Sequence, residues 1–274
     1  MLDGRLGMEV QVIGMCTATL LADPMAAADS DVRAAGEAAL AAGFTEASVW
    51  AHQIPALEGL GLRIAVVEAA MMWANADAGA ASDEAVRLSC LASEHGASKI
   101  VAVCLEPELA DIEVARRNLA VLVDAAANAG AQVCVEFLPW TAIPDLATAW
   151  SLVEPLGPAA GILLDTWHWV RQPGGPAFDV LAKIPGERVG YVQLCDAAPT
   201  PPPEVEVYAD AMANRLLPGE GVVDFAAVFA ALDAIGAAPF IATEIFNPSI
   251  VVERGALGAA TTMRDAAARV APGR

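Results

Sequence analysis

The chain has 274 residues, 56% hydrophobic and 18% charged, which gives ample material for a large core and excludes a disordered or solvating segment. Lys and Arg number 15 against 34 Asp and Glu, a formal net charge of −19, and such a field disfavours phosphate backbones and anionic membrane surfaces as partners. The length suits one alternating helix-and-strand barrel, so a single domain over 1–274 is expected.

Short apolar runs suited to buried parallel strands recur along the chain. They are Met8 to Met15, Ala47 to Trp50, Arg63 to Val67, Ser98 to Val103, Gln132 to Phe137, Gly161 to Asp165, Val189 to Leu194 and Phe240 to Ile245. Between most of them lie alanine-rich segments with apolar residues at helical spacing: Asp31 to Ala42, Asp83 to His95, Ile112 to Ala129, Leu146 to Leu156 and Phe225 to Ile235. Ser82 with Asp83 and Glu84 is read as a helix start, and Gly43, Gly96, Gly130 and Gly236 as stops. Eight strands alternating with helices predict an α/β fold of the (β/α)8 TIM-barrel type. Ala51 to Leu62 leaves room for a short helix at most, so the second β/α unit is abbreviated and that side is either thin or open. A doubly wound sheet is disfavoured because Cys16 to Asp23 contains no glycine for a phosphate turn. The proline-rich stretch Ala197 to Glu206 reads as a loop over the barrel mouth.

Catalytic residues of such barrels stand at the C-terminal ends of the strands. Glu136, Asp165, Gln193 and Glu244 end or nearly end the fifth to eighth apolar runs. Strand alternation puts Glu136 on the face of Cys134, Asp165 on that of Leu163 and Glu244 on that of Ala242, all inward. Buried anions must be paired, protonated or bound to a cation, and arginine is scarce near these segments. A divalent metal would neutralise them, and all-oxygen ligands favour Mg²⁺ or Mn²⁺. Taken singly, each acid could instead bond backbone amides or cap the next helix; four on successive strands make that the lesser explanation.

These residues resemble the sugar isomerase/epimerase superfamily, the xylose isomerase-like barrels that also include apurinic endonucleases and 3-dehydroshikimate dehydratases. The resemblance rests on Glu136, on Asp165 with His168 in DTWH, on Gln193 with Asp196 in QLCD, on Glu244, and on RLLPGEG, which carries Arg215 and Gly219 to Gly221. It implies a metal held by Glu136, Asp165, Gln193 and Glu244, with Glu136 and Glu244 facing each other across a substrate and His168 bonding or shuttling a proton. Arg215 would grip an anionic or hydroxyl-rich end of the substrate. Gln193 stands where many epimerases carry His, and in this it resembles the bacterial dehydroshikimate dehydratases. The first expectation is therefore a metal-dependent isomerase or epimerase working by proton abstraction beside a carbonyl. A dehydroshikimate dehydratase-like lyase is the alternative, and a barrel that only binds a ligand or partner is the second.

Other residues could reach a small-molecule substrate: His52 past the second run, Glu68 and Glu106 after the third and fourth, Arg171, and among the tryptophans Trp50, Trp73, Trp140, Trp169 and especially Trp167. For each, surface solvation or ordinary packing is the competing role. Asp196 and Glu220 are read as loop-fixing groups and His95 as structural. The chain lacks G-x-S-x-G, a G-x-x-x-x-G-K-[ST] loop and H-E-x-x-H, and neither Lys99 nor Lys183 suits a Schiff base at the end of the sixth strand. Cys16, Cys90, Cys104, Cys134 and Cys195 are odd in number and scattered, which fits reduced thiols and a cytoplasmic location. No secretory signal and no membrane span are expected. An exposed apolar helix face would allow a homodimer.

Overall fold

The computed structural model describes residues 13–201 and 205–271. Eight parallel strands close into a barrel in chain order: β1 (Gly14–Cys16), β2 (Glu46–Trp50), β3 (Arg63–Ala70), β4 (Lys99–Val103), β5 (Gln132–Glu136), β6 (Ala160–Asp165), β7 (Val189–Leu194) and β8 (Phe240–Thr243). The helices are α1 (Asp29–Ala41), α2 (Ile54–Leu57), α3 (Ala78–His95), α4 (Ile112–Asn128), α5 (Leu146–Val153), α6 (Thr166–Arg171), α7 (Phe178–Leu181), α8 (Val207–Ala213), α9 (Phe225–Ala234) and α10 (Pro248–Val270). Residues 8–12 of the first predicted strand and 202–204 of the proline-rich loop lie outside the described residues.

Period-two alternation builds the wall. Val133, Val135, Ile162, Leu164, Val192 and Ile241 point outward into one continuous core with the helices. Val66, Val101, Val103, Cys134, Leu163, Tyr191 and Ala242 point inward and fill the barrel as a separate cluster. The inward residue two positions further along β5, β6 and β7 is Glu136, Asp165 or Gln193, and Glu244 follows β8 in the same phase. Register sets Asp165 beside Gln193, Gln193 beside Ala242 and Glu136 beside Leu163, so the polar groups are staggered around the top of the apolar plug.

Aspartate caps start the main helices: Asp77 accepts the amides of Gly79 and Ala80 ahead of α3, Asp111 those of Glu113 and Val114 ahead of α4, and Asp145 that of Thr148 ahead of α5. The expected start at Ser82 is thus corrected, because Asp77 satisfies the first free amides and α3 begins five residues earlier than Asp83. Gly96 closes α3 at φ 65°, a left-handed conformation that glycine adopts without steric penalty. The second unit is abbreviated as expected, a 3-10 turn (Ala51–Gln53) running into the four-residue α2. Yet β2 pairs with β3 and the barrel is closed there. α1 covers the short crossing at Gly36, where a Cβ would meet Leu57 Cδ2 at 2.5 Å.

Candidate active site

The strand ends bring Glu136, Asp165, Gln193 and Glu244 together in a buried cluster at the barrel mouth, joined by His168, Arg215 and Glu68. Asp165 is fully buried and held from two sides. Its Oδ1 caps α6 by accepting the amides of Trp167 (2.7 Å) and His168 (3.0 Å), and its Oδ2 accepts from Arg215 Nη1 at 2.6 Å. The capping role weighed for single acids is therefore real here, and it coexists with membership of the cluster. Burial raises the Asp165 pKa, but Arg215, His168 and the amide bonds outweigh it and hold the carboxyl below its ordinary value.

Arginine is scarce near these acids, as the sequence reads, but one, Arg215, reaches two of them. Its guanidinium lies between Asp165 and Glu244 Oε2 (3.0 Å), also donates to the Ala211 carbonyl (2.8 Å), and sets Nη2 at 3.5 Å from His168 Nε2. Burial disfavours its charge, but Asp165, Cys195, Glu244 and Glu136 around it push its pKa well above the usual arginine value. With its side chain 3% exposed, it holds protein acids and does not project toward solvent. The backbone fixes this placement. Arg215 N donates to the Phe246 carbonyl and Asn247 Nδ2 to the Arg215 carbonyl. Asp196, as expected, pins the loop, its carboxylate accepting the amides of Gly219, Gly221 and Val223.

His168 Nε2 lies 3.3 Å from Glu136 Oε1. With the proton on Nε2 the ring donates to Glu136, which leaves Nδ1 as an acceptor; Nδ1 is buried and, among the described residues, without a hydrogen-bond partner. Glu244 is pushed well above the ordinary carboxylate range by burial and by Glu68, Glu136 and Asp165, against the pull of Arg215.

Glu68 carries more of the site than the sequence suggests. The apolar run in the sequence ends at Val67, but β3 continues to Ala70 and sets Glu68 inward, two residues past Val66. Its Oε1 accepts from the Ser48 hydroxyl, from Tyr191 OH at 3.5 Å and from Gln193 Nε2 at 3.4 Å. Burial lifts its pKa to about 7, with Glu136 adding and bonds from Ser48, Trp50 and Gln193 opposing. A lone acid inside AVVEAA was the available signal. Cys16 and Tyr191, both buried beside Glu68, carried no comparable mark.

The remaining candidates separate. Glu106 is exposed in the loop after β4, and His52 is exposed with its ring 5.9 Å from Trp50, so neither joins the cluster. Trp167 is buried and packs edge-on to His168 and Trp140, with the Arg171 guanidinium 5.4 Å from its ring. Arg171 donates to the Ala198 carbonyl at 2.8 Å and faces Asp210 at 3.8 Å. Trp73 and Trp169 lie in the core. The rim over His168 is formed by half-buried Trp140 and exposed Tyr208, 5.6 Å apart.

Two sets of donor atoms each lie within 4.8 Å of one another: Cys16, Glu68 and Glu244, and Glu136, Asp165 and His168. Gln193 Oε1 is buried and has no hydrogen-bond partner among the described residues. An unpaired lone-pair donor near carboxylates fits a cation, and Glu136 and Asp165 from one set and Glu244 from the other are the oxygen donors that could join Gln193 in holding it.

Residues 14–270 match the family described as xylose isomerase-like TIM barrel, and the chain belongs to that family. In structure it is similar to the IolI protein crystallised with a zinc atom, at TM-score 0.78 and 18% identity, covering 95% of this chain and 98% of that one. It is also similar to D-allulose 3-epimerase from Methylomonas sp. in complex with D-allulose, at TM-score 0.69 and 18% identity over 93% and 95% of the two chains. In sequence it is 30% identical over 170 residues to a 3-dehydroshikimate dehydratase of Pseudomonas putida, which is 60% of this chain and 26% of that protein. The matched stretch thus spans about a quarter of that relative's length. Among the described residues no helix is long and apolar enough to cross a membrane.

Proposed function

We propose that this barrel is a divalent-metal-dependent enzyme that removes a proton beside a carbonyl of a small hydroxy-carbonyl compound, and that its reaction is the loss of water from a 3-dehydroshikimate-like ring. The observation that carries the proposal is the inward convergence of Glu136, Asp165, Gln193 and Glu244 with an unpaired, buried amide oxygen among them. Hard oxygen donors suit Mn²⁺ or Mg²⁺. When bound, the cation would polarise the substrate carbonyl and acidify the adjacent carbon.

The chain's own groups then divide the proton work. Glu136 takes the proton, its carboxylate steadied by His168 at 3.3 Å. The C–H electron pair shifts to form the new C=C bond as the neighbouring C–O bond breaks, and the imidazole passes its Nε2 proton to the departing hydroxyl and regains one from Glu136, so that one water leaves and both groups return to their starting state. Arg215 keeps Asp165 and Glu244 aligned, and Trp140 with Tyr208 presents flat apolar surface to a ring. The lyase outcome is supported by Gln193 in place of an imidazole and by the dehydratase relative at 30% identity.

A second outcome, isomerisation or epimerisation of a sugar, is favoured by two observations. Glu136 ends β5 and Glu244 follows β8, with β6 and β7 between them, so the two acids approach from different sides as inversion requires. Arg215 and Arg171 are also both occupied by protein partners, which suits a substrate without a carboxylate.

The test is to supply the purified chain with Mn²⁺ or Mg²⁺ and offer 3-dehydroshikimate, following the absorbance of the aromatic dihydroxybenzoate that water loss would leave, beside keto-sugars in deuterated water. Aromatic product is the expected result. Deuterium uptake into a sugar without aromatic product would favour the epimerase, and neither reaction would leave the binding barrel.

A further inference from the structure

An amide in a cation site poses a problem that an imidazole does not. Its oxygen end can face the ion and its NH₂ end cannot, although the two ends have nearly the same size and reach. Something must hold the side chain the right way round. Gln193 Nε2 lies 2.8 Å from Glu244 Oε1 and 3.4 Å from Glu68 Oε1, while Oε1 has no partner. Both amide hydrogens thus have carboxyl oxygens as acceptors, and reversing the group would take them away from both.

The two acceptors are not equivalent. Glu244 is one of the residues that would hold the cation, and it already accepts from Arg215 at 3.0 Å. Glu68 makes no ion pair with Arg215 among the described residues; it is strapped to the wall by the hydroxyls of Ser48 on β2 and Tyr191 on β7. It is buried, so solvent does not compete for the bond.

We infer that Glu68 is a positioning residue: it fixes the Gln193 amide so that Oε1, and not the NH₂ group, is presented to the cation. The inference rests on the divalent-cation reading given above. It accounts for an acid inside the apolar run of β3, and it makes Ser48, Glu68 and Gln193 one connected unit spanning β2, β3 and β7. Removal of a group that orients a metal ligand costs roughly 10–100-fold in metal affinity.

The test measures Mn²⁺ affinity of the full chain by calorimetry and by the spin-resonance signal of free Mn²⁺, with circular dichroism to confirm folding. Glu68→Asp keeps the carboxyl group but withdraws it by one methylene. It is made in the wild-type background and in a Gln193→His background, where no amide needs orienting. The expected result is a loss of about tenfold or more in the wild-type background and a change within about twofold in the Gln193→His background. Equal losses in both would make Glu68 a ligand in its own right and overturn the inference, as would no loss in the wild-type background. Should Glu68→Asp fail to fold, Ser48→Ala, which loosens the strap and leaves the carboxylate in place, carries the same comparison with a smaller expected loss. If the wild-type chain itself binds no Mn²⁺, the cation reading fails and takes this inference with it, an outcome distinct from binding that Glu68 does not affect.

Discussion

Glu136 and His168 make the contact on which the proposed proton transfer depends, and their surroundings show why neither can be exchanged quietly. Glu136→Gln removes the charge that takes the proton and that His168 Nε2 faces, while Glu244→Gln replaces one of the two acids braced by Arg215. Each substitution is expected to lower kcat by at least about 100-fold, the scale of a general acid or base contribution, while His95→Gln at the end of α3 leaves turnover near wild type. Steady-state kinetics on the three variants checks this. Bound metal is expected at one per chain and to be lost in Glu244→Ala, as read by elemental analysis of the purified proteins. At this scale the sequence was informative for residues that close an apolar run. Glu136, Asp165, Gln193 and Glu244 each stand at such a boundary, and alternation alone gave their inward direction. It was poor where a contact depends on distant segments. Nothing local in RLLPGEG shows that Arg215 turns back between two carboxylates 50 and 29 residues away. Nor does the run around Glu68 reveal that a strand can continue past a charge once hydroxyls from two other strands solvate it.

Elements in this chain are bounded by aspartates and glycines, and the boundaries make separate tests possible. Asp77 accepts two amides at the head of α3 from an exposed position, so Asp77→Ala is expected to cost about 1 kcal/mol. For a chain of this size that corresponds to a fall of about 2 °C in Tm, measurable by calorimetry with the mouth untouched. The loop holding Arg215 behaves differently. At Gly221 a Cβ would run into the Ala197 carbonyl and the Asp196 carboxylate, and neither can retreat without breaking the amide bonds that Asp196 collects. Gly221→Ala is expected to lower stability by about 1–3 kcal/mol and turnover with it, because the displaced loop carries Arg215 away from the acids. Denaturant unfolding and kinetics on the same sample separate it from the Asp77 variant, which changes stability alone. Helical periodicity located α4 and α9 to within a residue at each end. The sequence pattern does not reveal α6, α7, α8 and α10: the first three are too short to show a period, and α10 is interrupted at Gly255, where φ 66° and ψ 166° break its single stripe into two.

At the scale of the whole molecule the alternation of strands and helices was legible and the closure of the barrel was not, since the short Ala51 to Leu62 connection is compatible with an open side until β2 and β3 are seen to pair. The thiols offer a test of the packing as a whole. Cys16, Cys104, Cys134 and Cys195 are buried, and burial raises the pKa of each, to about 12 for Cys134, while Cys90 is exposed. A thiol reagent at neutral pH is therefore expected to label one cysteine of five in the native protein and all five after denaturation, counted by mass spectrometry. The same abbreviated unit has a practical consequence. Between α2 and β3 the chain passes through exposed Gly59 and Gly61, around which nothing lies within 4 Å of where a side chain would begin. This turn joins a helix to the start of a strand, so it lies on the face opposite the acids. A reporter domain or an affinity handle spliced in there would hang from the closed end of the barrel, free of both the core and the mouth, and would let the protein be immobilised with its reactive end facing solution.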